Sequence, residues 1–297
     1  MGFTEMKGDF ELQQYRKESA FKETWRRLKK SRTAMFGLAI LFVMGSVSIL
    51  ADVIVPYTTA ISQNIASRLQ GPSSAHWFGT DAYGRDVFAR IVHGSRISLS
   101  IGFVATFFAL IAGVILGSIS GYFGGRLDDI ITRIIDVFMT IPTILLALAI
   151  VSALGPGITN LVLAITISRV PAFVRLIRSE VLGLMNQEYV EAAKAGGSKD
   201  ALIILKHILP NCMGTIIVQT TMSIAQMILQ AAGLSFLGMG VSAPQPEWGY
   251  MLSEAREYMR SAAYLMVFPG ACICLATLSL NLLGDGLRDA LDPRLKL

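Results

Sequence analysis

Residues 191–210 read EAAKAGGSKDALIILKHILP and lie between two long apolar stretches of the chain. Residues 187–195 are mostly helix formers without proline, and Asn186 before them is a suitable N-cap. Gly196 and Gly197 then end the run, because paired glycines terminate a helix. The sequence therefore predicts a short helix that is closed by a glycine turn.

A second helix is expected directly after the turn. Ser198 is its expected N-cap, and the apolar run 201–208 leads through Pro210 into the next long apolar stretch. The whole segment is predicted to be a helix, a glycine turn and a second helix.

The first of these helices has a face of small side chains. Tyr189, Ala192, Ala193 and Gly196 recur at positions i, i+3, i+4 and i+7, which share one side of a helix. Such a face suits a groove in another protein. The alternative interpretation is an amphipathic helix that rests on a lipid surface.

The composition places the chain in a membrane. Of its 297 residues 53% are hydrophobic and only 16% are charged, and the mean hydropathy is +0.55. A helix needs about 20 residues to cross a bilayer, which long charge-free runs provide. These runs are 34–51, 97–125, 137–168, 208–246 and 261–284.

One of these runs contains a turn. The sequence Gly155-Pro156-Gly157 divides it, which predicts one span near 131–154 and another near 158–177. The fold class is therefore predicted to be an all-α membrane protein with six transmembrane helices.

The basic residues predict the orientation. If the N-terminus is cytoplasmic, twenty of the 26 Lys and Arg residues lie on the inner side. The positive-inside rule then predicts that both termini and the segment 191–210 are cytoplasmic. The basic stretch 22–32 is interpreted as a topology signal that contacts lipid headgroups, so the net charge of +5 does not call for a nucleic acid partner.

Several motifs of enzymes do not occur in the sequence. There is no Gly-x-x-x-x-Gly-Lys-Ser/Thr loop, so no ATP site of that kind is expected. His76, His93 and His207 are far apart, and no His-Glu-x-x-His or nucleophile elbow is present. We therefore expect no catalytic residues, no metal site and no cofactor on this chain.

The segment 191–210 resembles the cytoplasmic coupling loop of permease subunits of ATP-binding-cassette (ABC) importers. The pattern falls on Glu191, Ala192, Ala193, Gly197, Leu209 and Pro210. Four further stretches resemble the dipeptide, oligopeptide and nickel permeases: HWFGTDAYGRDVFARIVHGSRISLS (76–100), GYFGGRLDD (121–129), LSFLGMGVSAPQPEWGYML (234–252) and NLLGDGLRDALDPRLKL (281–297).

The resemblance implies a type I importer in which this chain forms half of a heterodimeric pore. A sister permease, two cytoplasmic ABC ATPase subunits, an extracytoplasmic substrate-binding protein and a peptide substrate would complete the system. ATP and Mg would be bound by the ATPases, and closure of the ATPases would drive alternating access. By this resemblance Tyr189, Glu191, Ala192, Ala193, Gly196 and Gly197 couple the permease to an ATPase in a prokaryotic cell membrane.

The predicted organisation follows the spans. It consists of a cytoplasmic basic segment (1–33), a first transmembrane helix (34–56), an extracytoplasmic loop with an interfacial helix (57–96), a five-helix permease core (97–284) that contains the coupling loop (187–210), and a cytoplasmic tail (285–297).

Other functions remain open. The same architecture can import nickel, metal chelates or another small solute, and the chain itself does not decide between these and peptides. A secondary transporter is a weaker alternative, because its coupling carboxylates are expected in mid-span. Here Asp52, Asp128, Asp129, Asp136 and Asp285 lie towards span ends. A scaffold or membrane enzyme is weaker still.

Three further features each have two interpretations. The stripe Val87, Phe88, Ile91 and Val92 predicts either an interfacial helix or a docking surface for the binding protein. Residues 244–248, PQPEW, form either a plug over the pore or a rigid connector with an interfacial tryptophan. Arg169, deep in a span, either snorkels to the headgroups or lines the pathway.

Overall fold

The computed structural model describes residues 20–291. Residues 1–19 of the predicted N-terminal segment and 292–297 of the predicted tail lie outside this range. The described part is helical and has no strand beyond an isolated bridge between Thr80 and Asp86. Its α-helices are α1 (Ala20–Leu28), α2 (Arg32–Ile49), α3 (Ala51–Ile54), α4 (Tyr57–Ile61), α5 (Val87–Phe123), α6 (Gly125–Met139), α7 (Thr143–Leu154), α8 (Ile158–Leu184), α9 (Glu188–Ala195), α10 (Asp200–Ile203), α11 (Leu209–Phe236), α12 (Trp248–Ala255) and α13 (Tyr264–Leu291). Short 3₁₀ helices lie at Ile65–Ser67 and Arg256–Tyr258, and a π-helix spans Ile204–Ile208.

Among the described residues, five helices are long and apolar enough to cross a membrane, or six if α6 and α7 count together as one span. The predicted span 131–154 is not one continuous helix, because α6 and α7 meet at a bend of 88°. Pro142 precedes α7 and has no N–H to donate, so the helical ladder does not continue across residues 140–142. α8 and α13 run past the predicted span ends, to Leu184 and Leu291.

The long helices define two ends of the bundle, which we call the α9 end and the α12 end. At the α9 end, α1 packs on the last turn of α13 through Leu28 and Ala290. At the α12 end, the loop before α8 is bound to the loop after α11, because the N–H of Gly157 donates to the carbonyl of Gly240. A Cβ on Gly214, near the start of α11, would lie 3.8 Å from the Cβ of Leu291, so α1 and the C-terminal end of α13 lie at the same end as α9.

α5 and α8 form the most extensive helix pair of the described bundle. Small residues recur every four positions along α5, at Ala105, Ala109, Gly113, Gly117 and Gly121, and all five are buried. A Cβ on Gly117 would lie 2.8 Å from the Cβ of Ile177 on α8. Small residues at this spacing let two membrane helices approach closely. The two helices are thus packed as one unit along most of their length.

The predicted interfacial helix does not form separately. Residues 87–93 are the first two turns of the 37-residue α5, and Val87, Ile91 and Val92 are buried. Val87 and Ile91 pack in the bundle core and the Phe88 ring packs against Trp77 and Phe78, so neither a lipid-facing helix nor an accessible docking stripe is present there.

Candidate functional site

α9 is a short helix between the two long helices α8 and α11. It begins at Glu188. Its N-cap is Gln187, one residue later than the expected N-cap Asn186. No side chain caps its first turn, but Glu188 and Glu191 place negative charge there, which the helix dipole favours. The short helix expected from the sequence is therefore present.

The turn after α9 is a Schellman motif. The N–H of Gly197 donates to the carbonyl of Lys194 at 3.0 Å, and the N–H of Ser198 donates to the carbonyl of Ala193 at 3.1 Å. Gly197 has φ +75°, a conformation that glycine adopts without strain. The preceding glycine, Gly196, has an ordinary right-handed conformation with φ −73°, so it does not change the turn.

The second helix starts differently from the expectation. Lys199 rather than Ser198 is its N-cap, and α10 lasts one turn before the chain widens into the π-helix. Pro210 explains the widening, because it has no N–H and its ring clashes with the carbonyl four residues earlier. The π-helix therefore joins the α9 segment to α11 without a loop.

One side of α9 is anchored in the protein. Val190 is completely buried and packs in a cluster with Val181 of α8, Ile203 of α10 and Cys212 of α11. Fully burying a valine stabilises by about 1.5–3 kcal/mol. α9 is therefore held against both helices that flank it in the sequence.

Two polar contacts bind the same segment to α5. The phenol of Tyr122 donates a 2.6 Å hydrogen bond to Oδ1 of Asp200, and Nζ of Lys194 lies 5.2 Å from the centroid of the Tyr122 ring. Sequence reasoning missed Tyr122, because it lies 78 residues before Asp200. The quoted stretch GYFGGRLDD does contain it.

The opposite side of α9 is exposed. Tyr189, Glu191, Ala192 and Gly196 are all accessible, whereas Ala193 is half-buried and packs partly against the cluster below. The predicted face is thus present except that Ala193 is turned partly inwards. Glu191 has no hydrogen bond or ion pair with any described residue. Partial burial and the charge of Cys212 raise the pKa of the Tyr189 phenol, so it stays neutral near pH 7.

The structure places Arg169 at mid-length of the bundle. It is the twelfth of the 27 residues of α8, and its Nη2 donates to Oγ of Ser223, the fifteenth of the 28 residues of α11, at 3.0 Å. Its Nε is buried without a partner. The snorkelling interpretation is therefore wrong for this structure, because the guanidinium is bound in the middle of two long helices.

Among the described residues, no group of three or more His, Cys, Asp or Glu side chains could hold a metal ion. The geometry at the α9 end is that of a contact surface. It consists of an exposed helix with small side chains and the free carboxylates of Glu188 and Glu191.

A protein-family model described as "binding-protein-dependent transport system inner membrane component" matches residues 113–297. The chain belongs to this family. A second model, the N-terminal transmembrane domain of oligopeptide transport permease C, matches residues 19–72. The protein is thus a multi-pass inner-membrane permease subunit of a bacterial ABC importer.

Curated relatives cover nearly the whole permease. It is 49% identical over 283 residues to the dipeptide transport system permease protein DppC of Alkalihalophilus pseudofirmus, which covers 95% of this chain and 93% of that protein. It is 43% identical over 276 residues to the glutathione transport system permease protein GsiD of Pectobacterium atrosepticum, with 93% and 92% covered.

Solved structures show the same fold. Two crystal forms of the inward-facing MetNI methionine ABC transporter match with TM-scores of 0.57 and 0.58 at 19% identity. They cover 68% and 69% of this chain, and 96% and 97% of the matched chains. The permease therefore has the fold of a type I ABC importer subunit.

The α12 end of the permease contains a buried cluster of four charged residues that sequence reasoning missed. Arg85 and Arg90 each pair with both Asp81 and Glu254, at N–O distances of 2.6–2.7 Å. Both guanidiniums are 1% exposed. Burial alone would lower the pKa of Arg85, but the charges of Asp81 and Glu254 outweigh it and raise the pKa. The cluster joins the loop before α5, α5 itself and α12.

The segment 244–248, predicted to be a plug or a connector, is held inside the protein by Glu247 and Trp248. Trp248 is 1% exposed, and its Nε1 donates to the carbonyl of Ile91 at 3.2 Å, so it is not an interfacial tryptophan. Glu247 is buried and caps α12 by accepting from the N–H groups of Gly249 and Tyr250 at 2.9 and 2.8 Å. Burial raises the pKa of Glu247, although the accepted hydrogen bonds oppose this.

Proposed function

We propose that this permease forms one half of a heterodimeric translocation pathway for di- and oligopeptides. A differently sequenced sister permease forms the other half, two cytoplasmic ABC ATPases supply energy, and an extracytoplasmic binding protein delivers the peptide. The chain binds no ATP, Mg or other cofactor and catalyses no reaction. The observation that carries the proposal is the exposed small-residue face of α9 on a chain 49% identical to a dipeptide permease.

The proposed mechanism depends on the contacts that hold α9 in the protein. Closure of the two ATPases moves α9, which is held by Val190 in the cluster and through Asp200 by Tyr122 of α5. Because α5 and α8 are packed along a seam of small residues, the displacement rotates them together. The central cavity is then exposed alternately to each side of the membrane.

We assign Glu191, Ala192, Ala193, Gly196, Gly197 and Tyr189 to the ATPase contact. The exposed Glu191 carboxylate has no partner in the described chain, so it is free to pair with a basic group of the ATPase. The small side chains beside it allow close approach of the ATPase groove. Ala193 contributes through its half-exposed side.

Arg169 is assigned to the pathway. A charge at mid-length of a span is costly unless water or a partner solvates it, and its only hydrogen bond among the described residues is to the neutral Ser223. A guanidinium with free donors can bind a carboxylate of a passing peptide.

We further propose six crossings with both termini cytoplasmic. In this arrangement the α9 end faces the cytoplasm, where ATP is, and α6 with α7 makes one bent crossing. The test uses a variant without Cys212, Cys272 and Cys274. A cysteine replacing Ser73 should react with an impermeant thiol reagent in intact cells, and one replacing Ser198 should not. Labelling of Ser198→Cys from outside contradicts the orientation.

The substrate class is tested at the cognate binding protein and then in uptake. Dipeptides, tripeptides, glutathione and a nickel chelate are compared for binding, and each is then tested as a competitor of dipeptide uptake. We expect dipeptides to bind and to compete best. Glutathione is the second candidate, because GsiD relatives at 43–45% identity are glutathione permeases. Exclusive binding of the nickel chelate contradicts a peptide importer.

A further inference from the structure

A polar stripe runs along α11 from its α9 end. Asn211, Thr215, Gln219 and Ser223 follow each other at intervals of four residues, which places them on one face of the helix. Ser223, at the inner end of the stripe, accepts the hydrogen bond from Arg169. The stripe therefore connects the end of the bundle with the middle of the proposed pathway.

Asn211, Thr215 and Gln219 of this stripe form the floor of an open groove of about 540 Å³. α11 contacts both α8 and α13, which form the two walls. Glu180 lines the groove on the α8 side and Arg288 on the α13 side. The volume lies within the range of about 300–1,000 Å³ that is typical of small-molecule sites.

Neither charged side chain of the groove has an ion pair shorter than 4.0 Å with a described residue. Glu180 has no hydrogen bond or ion pair with a described residue. Arg288 is exposed, and its guanidinium reaches only Sδ of Met222 at 3.4 Å and Oδ1 of Asp285 at 4.0 Å. Lipid tails cannot solvate such groups near the end of a span, so water or a polar ligand must fill the groove.

We propose that this groove is a binding site for a zwitterionic solute. The ammonium group of the solute pairs with Glu180 and its carboxylate pairs with Arg288. The amide side chain of Gln219 and the hydroxyl of Thr215 contact the peptide unit between the two charges. This inference rests on the proposed function and locates a site for the transported solute at the α9 end of the pathway.

The site is mechanically linked to the α9 segment. Nδ2 of Asn211 donates a 2.6 Å hydrogen bond to the carbonyl of His207 in the π-helix. The π-helix follows α10 directly, so a displacement of α9 and α10 changes the floor of the groove. The solute site and the ATPase contact are thus separated by one helical junction.

The test uses thiol reactivity in the assembled importer, placed in lipid nanodiscs so that both faces are open to reagent. The three native cysteines are replaced, and single cysteines are introduced as Thr215→Cys in the groove or Met213→Cys as the control. Met213 lies on the same helix, is 45% exposed and does not line the groove. We expect a charged methanethiosulfonate to modify Thr215→Cys about tenfold faster or more, because a thiol in an apolar surrounding does not ionise.

Two solutes then test the charge requirement. Alanylalanine is expected to slow the modification of Thr215→Cys, whereas the uncharged N-acetylalanine amide is not. Adding Glu180→Gln should keep the cysteine reactive but remove the protection by alanylalanine. Equal reactivity at Thr215→Cys and Met213→Cys overturns the proposal, because the groove is then no more open to water than the rest of the α11 surface. Equal effects of the two solutes also overturn it.

Uptake by the same complex separates this inference from the proposed function. If the wild-type complex imports alanylalanine with ATP but the solute gives no protection, the groove site is wrong and the importer assignment stands. If the wild-type complex imports no dipeptide, the proposed function fails, and the zwitterionic occupant fails with it.

Discussion

The phenol of Tyr122, in the last turn of α5, donates a 2.6 Å hydrogen bond to Asp200, the first residue of α10. This bond connects the α9 segment to a helix that is remote from it in the sequence. α5 is also the helix that packs most extensively on α8, so the helix before α9 and the helix bonded to Asp200 form one packed unit. We therefore expect movement at α9 to be passed to α5 and α8.

Tyr122→Phe should loosen this connection. The change removes a hydrogen bond to a charged acceptor but keeps the ring beneath Lys194. A loss of about 1.5 kcal/mol would make amide hydrogen exchange across residues 188–203 about tenfold faster. Tyr258→Phe is the matched control, because its phenol accepts from Arg68 at the opposite end. Unchanged exchange in Tyr122→Phe would show that the hydrogen bond does not hold the segment.

Gly117→Ala should weaken the seam between α5 and α8. The added Cβ would meet the Cβ of Ile177 and the carbonyl of Val174, each at 2.8 Å. Overpacking of this kind costs about 1–3 kcal/mol, more than alanine gains in helix propensity. Thermal unfolding in detergent should therefore occur at a lower temperature. Gly45→Ala is the control, since no atom lies within 4 Å of its Cβ, and it should unfold at the wild-type temperature or above. Equal shifts in both variants would refute the close packing.

Glu254→Gln should destabilise the α12 end. Arg85 and Arg90 are buried. Each forms ion pairs with two carboxylates, one of which is Glu254. Breaking a buried ion pair from one side costs about 3–5 kcal/mol. The matched control is Asp52→Asn, whose pair with Arg96 at 3.0 Å is exposed and should contribute at most about 1 kcal/mol. Similar unfolding temperatures for the two variants would contradict the structural role of the cluster.

Arg169→Leu should slow uptake without disturbing assembly. The change removes a mid-span charge that we assign to the pathway and leaves Ser223 without its donor. We expect about tenfold slower uptake, which corresponds to about 1.4 kcal/mol in the transport barrier. Arg169→Lys should retain more activity if charge alone is needed, and little more if a two-pronged contact is needed. Wild-type uptake by an assembled Arg169→Leu complex would remove the residue from the pathway.

The sequence was sufficient to predict α9 and its glycine turn, because their structure depends on local chemistry, but it did not predict the start of α10 or the π-helix. The paired glycines terminate the helix, and the proline that follows the second helix fixes the junction with α11. The membrane class and the long helices could also be predicted from charge-free runs. The functional roles of the α9 residues stay predictions.

Features that depend on distant contacts could not be predicted. The stripe at the start of α5 looked suitable for a lipid surface, because nothing nearby in the sequence shows that Arg90 pairs with Glu254, 164 residues later. Trp248 looked interfacial for the same reason, although it bonds to Ile91. The bend before α7 was missed because the glycines around Pro156 were a stronger turn signal than Pro142.

The central claim is that the exposed face of α9 couples ATP hydrolysis to solute uptake, and one measurement tests it most directly. The full importer is reconstituted in proteoliposomes, and ATP-driven uptake of labelled alanylalanine is measured for the wild type, Ala192→Arg and Ala75→Arg. Both alanines are exposed, but Ala75 lies in the loop at the α12 end.

A long charged side chain at a close-packed contact should cost about 1–3 kcal/mol, which weakens the ATPase contact by a factor of about 5 to 150. We predict ATP-dependent uptake by the wild type and by Ala75→Arg, and loss of uptake in Ala192→Arg with the permease still inserted. Uptake by Ala192→Arg equal to the wild type, or uptake that an ion gradient drives without ATP, would contradict the account.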